Sequence, residues 1–372
     1  MSAVSSDTAA YADRLARVRA TMEAQEIDVL LLSVGADLPW LTGYEAMPLE
    51  RLTMLVAHRD GDVTLVVPRL EAPRVVERPG VFTIRPWEET DDPVALVAAL
   101  SGRAKTAAIG DTTWARFVLE LQREMPSTVF SRATAVTGAL RAHKDDAEIE
   151  ALRRAGAAAD RVATALQGGD IALVGRTEAE VSAELSARLL AEGHHQVNFA
   201  IVAAGENAAS PHHDASARVI RSGEVVLCDF GGTLDGYCSD ITRCVSIGDP
   251  SPEVADAYAV LFEAQAAAVK AATIGTPCEA VDGAARDIIA AAGFGENFIH
   301  RTGHGIGVEA HEDPYIVKGN AALLEHGHAF SIEPGIYLAG RFGLRLEDIV
   351  VATSAGPDAM NRVDHQLVVV EA

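Results

Sequence analysis

The sequence predicts an α/β N-terminal half followed by an α+β second half. Three observations carry this. Short apolar runs alternate with helical patterns in the first ~140 residues; a strongly signalled helix opens at Lys144; and beyond it long helical stretches are interleaved with glycine-rich apolar segments. A length of 372 residues allows two or three domains, and the boundary is placed just before Lys144, giving 1–143 and 144–372.

The elements follow in order. Leu15, Val18 and Met22 recur at helical spacing within residues 8–26, with arginines between them. Asp28-Val-Leu-Leu-Leu-Ser33 reads as a buried strand, and Leu52–Ala57 and Val63–Val67 read as two more, joined by the turn-forming Arg59-Asp-Gly-Asp62. Pro93–Leu100 reads as a helix with proline in its first turn, and Ala107–Ile109 as a short strand. Lys144–Ala155 reads as a helix with acids early and arginines late, matching the helix dipole. Thr177-Glu-Ala-Glu180 has the form of a capping box opening another helix. Two more helices are expected near 252–273 and 277–292, with helices lying outside a glycine-punctuated sheet.

Composition excludes several classes. Hydrophobic residues make up 49% and charged residues 23%, the balance of a folded soluble protein. Asp and Glu outnumber Lys and Arg by 53 to 31, a formal charge of -22, which argues against nucleic acid or an anionic membrane as partner. No apolar run approaches the length of a membrane span, and Met1–Asp7 lacks the pattern of a secretory leader. Cys228, Cys238, Cys244 and Cys278 form no Cys-x-x-Cys pair, so reduced core thiols in a cytoplasmic protein are expected.

One internal echo points to chemistry. Val225-Val-Leu-Cys-Asp229-Phe-Gly-Gly runs on to Asp240, and Ala329-Phe-Ser-Ile-Glu333-Pro-Gly-Ile runs on to Glu347. Each is an apolar strand ending in a carboxylate, a glycine turn, and a return to a second carboxylate. Two such hairpins would make a pseudo-symmetric sheet with acids converging from both halves. Taken singly, any of these acids could be an ordinary turn residue. Four in matched hairpins call for a partner, because an ionised carboxylate is rarely buried unless it is paired or bound to metal. Strand alternation puts Asp240 with Thr242 and Arg345 with Glu347, so Thr242 and Arg345 are placed to orient the acids. His304 is bracketed by glycines in Thr302-Gly-His-Gly-Ile-Gly307, a setting suited to close approach and unusual backbone angles. Ser210-Pro-His-His-Asp214 reads either as a site loop or as a solvated turn. One histidine with four carboxylates makes an oxygen-rich site suited to two Mn²⁺, Co²⁺, Fe²⁺ or Zn²⁺ ions, and two bridging acids would hold and acidify a shared water. Neither H-E-x-x-H nor G-x-S-x-G is present.

These residues resemble the pita-bread metallopeptidase family, which includes prolidase, aminopeptidase P and methionine aminopeptidase. The resemblance rests on Asp229-Phe-Gly-Gly, Ser239-Asp240-Ile-Thr-Arg243, Thr302-Gly-His304-Gly-Ile-Gly, His311-Glu, Ser331-Ile-Glu333-Pro-Gly-Ile-Tyr337 and Leu344-Arg345-Leu-Glu347-Asp348, and it covers roughly residues 145–372. The preceding α/β domain is similar to the creatinase/prolidase type, which methionine aminopeptidases typically lack. The resemblance implies a pita-bread catalytic domain behind a creatinase-like N-terminal domain, and an exopeptidase hydrolysing Xaa-Pro bonds in dipeptides or short peptides. It implies two divalent ions per subunit, Mn²⁺ first with Co²⁺ or Zn²⁺ as alternatives, and a homodimer. Asp229 would chelate one ion, Asp240 and Glu347 would bridge the pair, and His304 and Glu333 would complete the other. Glu333 would also take a proton from the attacking water, His212 would contact substrate, His311 would hydrogen-bond the scissile carbonyl, and Arg345 would support the bridging acids. His213 receives no role. Several prolidases carry an arginine four residues after the equivalent of His311 to hold the substrate carboxylate; here Tyr315 stands there. Either Lys318 or a basic group of the N-terminal domain replaces it, or longer peptides are accepted. Trp40 reads either as the N-terminal domain's contact with a partner subunit or as an ordinary core residue. The alternatives are an aminopeptidase P-like or general aminopeptidase, creatinase-like chemistry without metal, and a non-catalytic peptide-binding module on the same fold.

Overall fold

The computed structural model describes residues 3–371, so Met1 and Ser2, where the leader-free reading begins, lie outside the described residues. The chain divides into two compact units, Met1–Arg141 and Ala142–Ala372. Among the described residues no helix is long and apolar enough to cross a membrane.

The first unit contains α1 (Ala3–Ala24), β1 (Val29–Leu32), α2 (Asp37–Thr42), β2 (Met54–His58), β3 (Val63–Pro68), β4 (Thr83–Trp87), α3 (Pro93–Ser101), β5 (Thr106–Ile109), α4 (Ala115–Glu124), β6 (Val129–Arg132) and α5 (Thr134–Ala142). Its six strands form one sheet in the order β4-β3-β2-β1-β5-β6. β1 is buried throughout and pairs antiparallel with β2 and parallel with β5. That is why Val-Leu-Leu-Leu is continuously apolar and does not alternate. Leu31, Val56 and Val66 pack with Val94 and Val97 of α3 and with Phe117 and Leu121 of α4. Asp92 starts α3 by accepting from the amides of Val94 and Ala95 at 3.0 Å each, with Pro93 in the first turn. Trp40 is only 1% exposed, and its carbonyl accepts from Arg14 Nη1 at 2.8 Å. It is a core residue and leaves no surface for contact with a partner subunit.

The second unit contains α6 (Asp146–Gln167), α7 (Glu178–Ala191), β7 (Gln196–Ala204), β8 (Val225–Leu234), β9 (Tyr237–Cys238), β10 (Ile241–Ile247), α8 (Pro252–Ala271), α9 (Cys278–Ala291), β11 (Gly303–Gly305), β12 (Glu312–Ile316), β13 (Ala329–Ile332), β14 (Gly335–Leu338), β15 (Phe342–Arg345), β16 (Asp348–Thr353), β17 (Gly356–Ala359) and β18 (Val368–Val370). Reciprocal capping boxes open α6 (Asp145 with Glu148) and α7 (Thr177 with Glu180). Lys144 lies outside α6, because Asp145 takes the capping position and Lys144 turns its ammonium to Glu312 Oε1 at 2.6 Å.

The echoed hairpins do not share one sheet, and the second is split between β13 and the β14–β15 hairpin. One sheet runs β18-β10-β8-β7 with β9 on β8; another runs β12-β11-β13-β16-β17, and β14 and β15 form a small hairpin of their own. An isolated bridge between Thr242 and Glu347 joins the two halves. Pro334 follows Glu333 and has no amide to continue the β13 ladder, so the chain breaks off into the β14–β15 hairpin. Helices cover both sides of β8. Val226, Cys228 and Phe230 pack with α6 and α7, while Val225 and Leu227 pack with α8 and α9. Both faces of β8 are therefore dry, and any polar side chain on it must find a specific partner.

Candidate metal centre and active site

Alternation along β8 puts Asp229 on the face of Val225 and Leu227, directly opposite Thr242 of β10. Asp229 lies within the strand and not at its end, whereas Asp240 immediately precedes β10 and Glu333 immediately follows β13. The eight residues to which the family resemblance gives metal-binding or catalytic roles line one cavity of about 550 Å³: His212, Asp229, Asp240, His304, His311, Glu333, Arg345 and Glu347. Phe199, Ile201, Pro211, His300 and Arg301 complete the lining. Asp229, Asp240, His304, Arg345 and Glu347 are buried, while His212 and His311 are exposed at the cavity surface.

Three of the four acids are held by a named partner. Arg345 Nη2 donates to Asp229 Oδ2, and Arg345 Nε donates to Thr242 Oγ1 at 3.1 Å. Thr242 Oγ1 in turn donates to Glu347 Oε2 at 2.6 Å, so one hydroxyl links the arginine to the acid of the other sheet. Ser331 Oγ donates to Glu333 Oε1 at 3.2 Å. The glycines around His304 act by close approach and not by unusual φ. A Cβ on Gly303 would lie 1.8 Å from the Ser331 carbonyl oxygen, and one on Gly305 2.3 Å from that of Asp313.

The donor set fits divalent cations. Asp240, His304 and Glu347 each offer a ligand atom within 4.8 Å of the others. His304 Nδ1 is 3.1 Å from the Gly305 carbonyl oxygen, which can only accept, so the proton sits on Nδ1 and Nε2 presents its lone pair. That lone pair faces Glu333 Oε1 at 3.3 Å and Asp240 Oδ2 at 3.7 Å. Burial, with the neighbouring His311, pushes the His304 pKa down to about 3, so the imidazole is neutral. Acceptors thus face acceptors. Asp229 Oδ1 and Asp240 Oδ1 are buried with no hydrogen-bond partner at all. Burial first, then the charges of Glu347, Asp229 and Glu333, hold the Asp240 pKa well above the carboxylate range. Glu347 is held up likewise by burial and by Glu333 and Asp229, and burial carries Glu333 up to about 7 against the pull of Arg345. Ionised carboxylates this crowded need positive charge among them, and cations bridging the orphaned oxygens would supply it.

The structure also gives roles the sequence reading lacked. His300 Nδ1 lies 2.7 Å from the Arg301 carbonyl oxygen, so Nδ1 is the donor there. Nε2 must then accept from the Tyr337 hydroxyl at 2.9 Å, and that hydroxyl accepts from Arg345 Nη1 at 2.9 Å. This chain of donors fixes the guanidinium that holds Asp229. Burial pushes His300 down to about 4, which keeps it neutral. The His-x-x-Gly-His spacing of residues 300–304 was the available signal. His213 turns away from the cavity to Glu178 Oε2 at 2.8 Å. The buried Glu178 also accepts from the Ala204 amide, Asn207 Nδ2, and the Ser216 amide and hydroxyl. His213 thereby pins the loop carrying His212. All four cysteines are buried and free.

Comparison with known proteins agrees with this geometry. Residues 150–354 match metallopeptidase family M24, and residues 14–143 match the creatinase/prolidase N-terminal domain. The chain belongs to metallopeptidase family M24. It is 44% identical over 369 residues to a probable dipeptidase PepE of Mycobacterium tuberculosis, covering 98% of each chain. It is 36% identical to an Xaa-Pro dipeptidase of Lactobacillus helveticus, covering 92% of this chain and 95% of that one. The crystal structure of a prolidase from Thermococcus sibiricus superposes with a TM-score of 0.91 at 35% identity, covering 97% of this chain and 99% of that one. The M24 unit has the pita-bread fold, preceded by a creatinase-type domain, and the protein is a hydrolase that uses divalent metal ions.

Proposed function

We propose that this M24 peptidase hydrolyses Xaa-Pro bonds in dipeptides or short peptides, with Asp229, Asp240, His304, Glu333 and Glu347 holding two divalent ions. The reading is carried by one observation: five acid and imidazole groups converge on one cavity, and Asp229 Oδ1 and Asp240 Oδ1 are left there without any protein partner. When bound, the ions acidify water and polarise the scissile carbonyl.

The chain's own residues do the rest. Asp240 and Glu347, next to the starts of β10 and β16, would hold the ions together with Asp229, His304 and Glu333, while Thr242 holds Glu347 and Arg345 holds Asp229 so that little reorganisation accompanies reaction. Glu333 faces the cavity on the Ser331 hydroxyl and takes the proton released from water. His311 stands at the exposed end of the cavity, 4.0 Å ring to ring from His304, where it donates to the carbonyl oxygen as negative charge develops. His212 contacts the substrate from the loop that His213 anchors. Phe199 and Ile201 give an apolar wall for a proline ring. The leaving nitrogen is a tertiary amide without an N–H, so shape must do the recognition that hydrogen bonding cannot.

Manganese as the resident ion, a cytoplasmic location, the domain division 1–143 and 144–372, and a homodimer belong to the same proposal. The oxygen-rich donor set supports the first, four buried free thiols support the second, and family resemblance supports the last two. The test is hydrolysis of Ala-Pro, Ala-Pro-Ala and Met-Ala with Mn²⁺, Co²⁺ and Zn²⁺ supplied in turn. Ala-Pro is expected to be cleaved fastest, with Mn²⁺. Preference for Met-Ala would overturn the Xaa-Pro reading, and preference for Ala-Pro-Ala would move it to an aminopeptidase P-like activity.

A further inference from the structure

Arg243 ends the motif Ser239-Asp-Ile-Thr-Arg243, yet no role has fallen to it and it does not line the cavity. It is fully buried, and alternation along β10 turns it to the face opposite Thr242. A guanidinium has five N–H donors, and each one here meets an acceptor. Nε donates to the Asp364 carbonyl oxygen at 3.0 Å. Nη1 donates to the carbonyl oxygens of Thr242 at 2.9 Å and Glu347 at 2.6 Å. Nη2 donates to Asp348 Oδ1 at 2.7 Å and to the Val363 carbonyl oxygen at 3.2 Å. All but one of these acceptors are main-chain oxygens, so the side chain fixes backbone and not merely charge. They belong to three segments: β10, the turn from β15 into β16, and the residues between β17 and β18. The last of these is itself anchored. Asn361 Oδ1 accepts from the Ile349 amide, Gln167 of α6 donates to the Asp364 carbonyl oxygen, and Tyr258 of α8 donates to that of His365. Asp348 Oδ2 is held in turn by Gln265 Nε2 and His365 Nε2.

Asp240 and Glu347 offer ligand atoms within 4.8 Å of each other, but they come from different sheets. Asp240 immediately precedes β10 and Glu347 immediately precedes β16, so their separation is set where these strands meet. The main-chain bond at that point, from the Glu347 amide to the Thr242 carbonyl oxygen, is long at 3.3 Å. Asp240 Oδ1 has no hydrogen-bond partner, so the place of this acid follows the main chain of β10. We propose that Arg243 is a positioning residue for the metal pair: by gripping the Thr242 and Glu347 carbonyl oxygens from outside the cavity, it sets the spacing of Asp240 and Glu347 and with it the uptake of the second ion. The inference rests on the two-ion reading above and goes further by naming what keeps the two halves of the site in register. Thr242 and Arg345 tie side chains together within the cavity, whereas Arg243 ties the strands that carry them. A lysine would keep the charge opposite Asp348, but its three donors cannot meet five acceptors.

The test takes the full chain as wild type, Arg243→Lys, Arg243→Met and His365→Ala, each chelated and then titrated with Mn²⁺. Calorimetry gives stoichiometry and affinity, low-temperature EPR distinguishes a spin-coupled Mn²⁺ pair from isolated ions, and thermal unfolding of the chelated proteins reads stability alone. Arg243→Lys is expected to unfold cooperatively yet to bind the second Mn²⁺ about 10- to 100-fold more weakly, the usual cost of losing an outer partner of a metal site. The coupled signal should give way to that of isolated ions, and kcat on Ala-Pro should fall with KM little changed. Arg243→Met should go further in the same direction. Arg78→Met is the control, because Arg78 is also buried and also grips main chain, at the Thr42 carbonyl oxygen of the first unit. It should lower the melting temperature and leave metal uptake unchanged. Arg243 variants that fold and take up two ions with wild-type affinity and coupling would overturn the inference, as would an equal weakening of uptake in Arg78→Met. Should neither Arg243 variant fold, His365→Ala decides: it loosens Asp348 behind Arg243 and should weaken the second ion several-fold, and unchanged uptake there overturns the inference. A wild type that binds a single ion overturns the two-ion reading instead and takes this inference with it.

Discussion

Thr242 holds more of the site together than its size suggests. Fully buried, its hydroxyl is the only atom that touches both Arg345 and Glu347 in the hydrogen-bond network described. Thr242→Val keeps the shape and removes both bonds, leaving Arg345 Nε and Glu347 Oε2 short of partners. The expected cost is about 1–3 kcal/mol in stability and about 10- to 100-fold in Mn²⁺ affinity, read by thermal unfolding and by calorimetric titration. His311→Ala separates binding from chemistry. It should retain metal while kcat falls by about 10²–10³, whereas Glu347→Ala should lose both metal and turnover. Loss of metal in His311→Ala would make His311 a ligand. At this scale the sequence was readable where chemistry is improbable: an acid in an apolar strand stands out, and strand alternation brought Thr242 and Arg345 to the acids, although it set Thr242 with Asp240 and Arg345 with Glu347 whereas Thr242 bonds Glu347 and Arg345 bonds Asp229. The His-x-x-Gly-His spacing marked His300 but not its role, because its partner Tyr337 sits 37 residues on in a separate hairpin and only folding makes the pair.

β11 shows what a short element can carry. Its three residues, Gly303-His-Gly305, run so close to β13 and β12 that side chains at either glycine would enter neighbouring carbonyls. Gly303→Ala therefore places a Cβ 1.8 Å from main chain that cannot swing aside, and His304 must shift with it. The expected result is a loss of about 1–3 kcal/mol together with reduced metal content. Gly283→Ala is the control: it lies in α9 with nothing within 4 Å of the added methyl, and should stabilise by about 0.5–1 kcal/mol because alanine is the better helix former. If both variants behave alike in thermal melts, close packing at β11 is not what matters. Element positions were legible wherever a cap or a period announced them, as with Asp92, Thr177 and the continuous apolar β1. The separation of the echoed hairpins into different sheets was not. Pattern gives strand identity, whereas sheet membership depends on long-range pairing such as the Thr242–Glu347 bridge, which no local window contains.

Across the whole molecule, the acids of the cavity make folding of the metal-free protein depend on pH in a definable direction. Burial and mutual repulsion raise the folded-state pKa of Asp240 and Glu347 well above their ordinary values of 3.8 and 4.5, and that of Glu333 to about 7. The folded state therefore binds protons that the unfolded chain has released. Such groups favour folding fully below their unfolded pKa, and this stability is lost as pH rises through the folded values. Glu178 and Asp348 run the other way. Their folded values are depressed because hydrogen bonds to Glu178, and Arg243 and His365 beside Asp348, outweigh the desolvation that would raise them. Their contribution is present above about 4 and lost as pH falls below it. The metal-free protein is thus expected to be most stable in mildly acidic solution and to weaken as pH rises through about 7. Divalent ions invert the first effect by favouring ionised carboxylates, so added Mn²⁺ should stabilise most where the metal-free protein is weakest. Melting temperatures measured across this range, after chelation and again with Mn²⁺ restored, decide the matter. A chelated protein as stable at alkaline as at mildly acidic pH would mean that these acids do not crowd one another as the geometry requires, and the case for cations between them would fall with it.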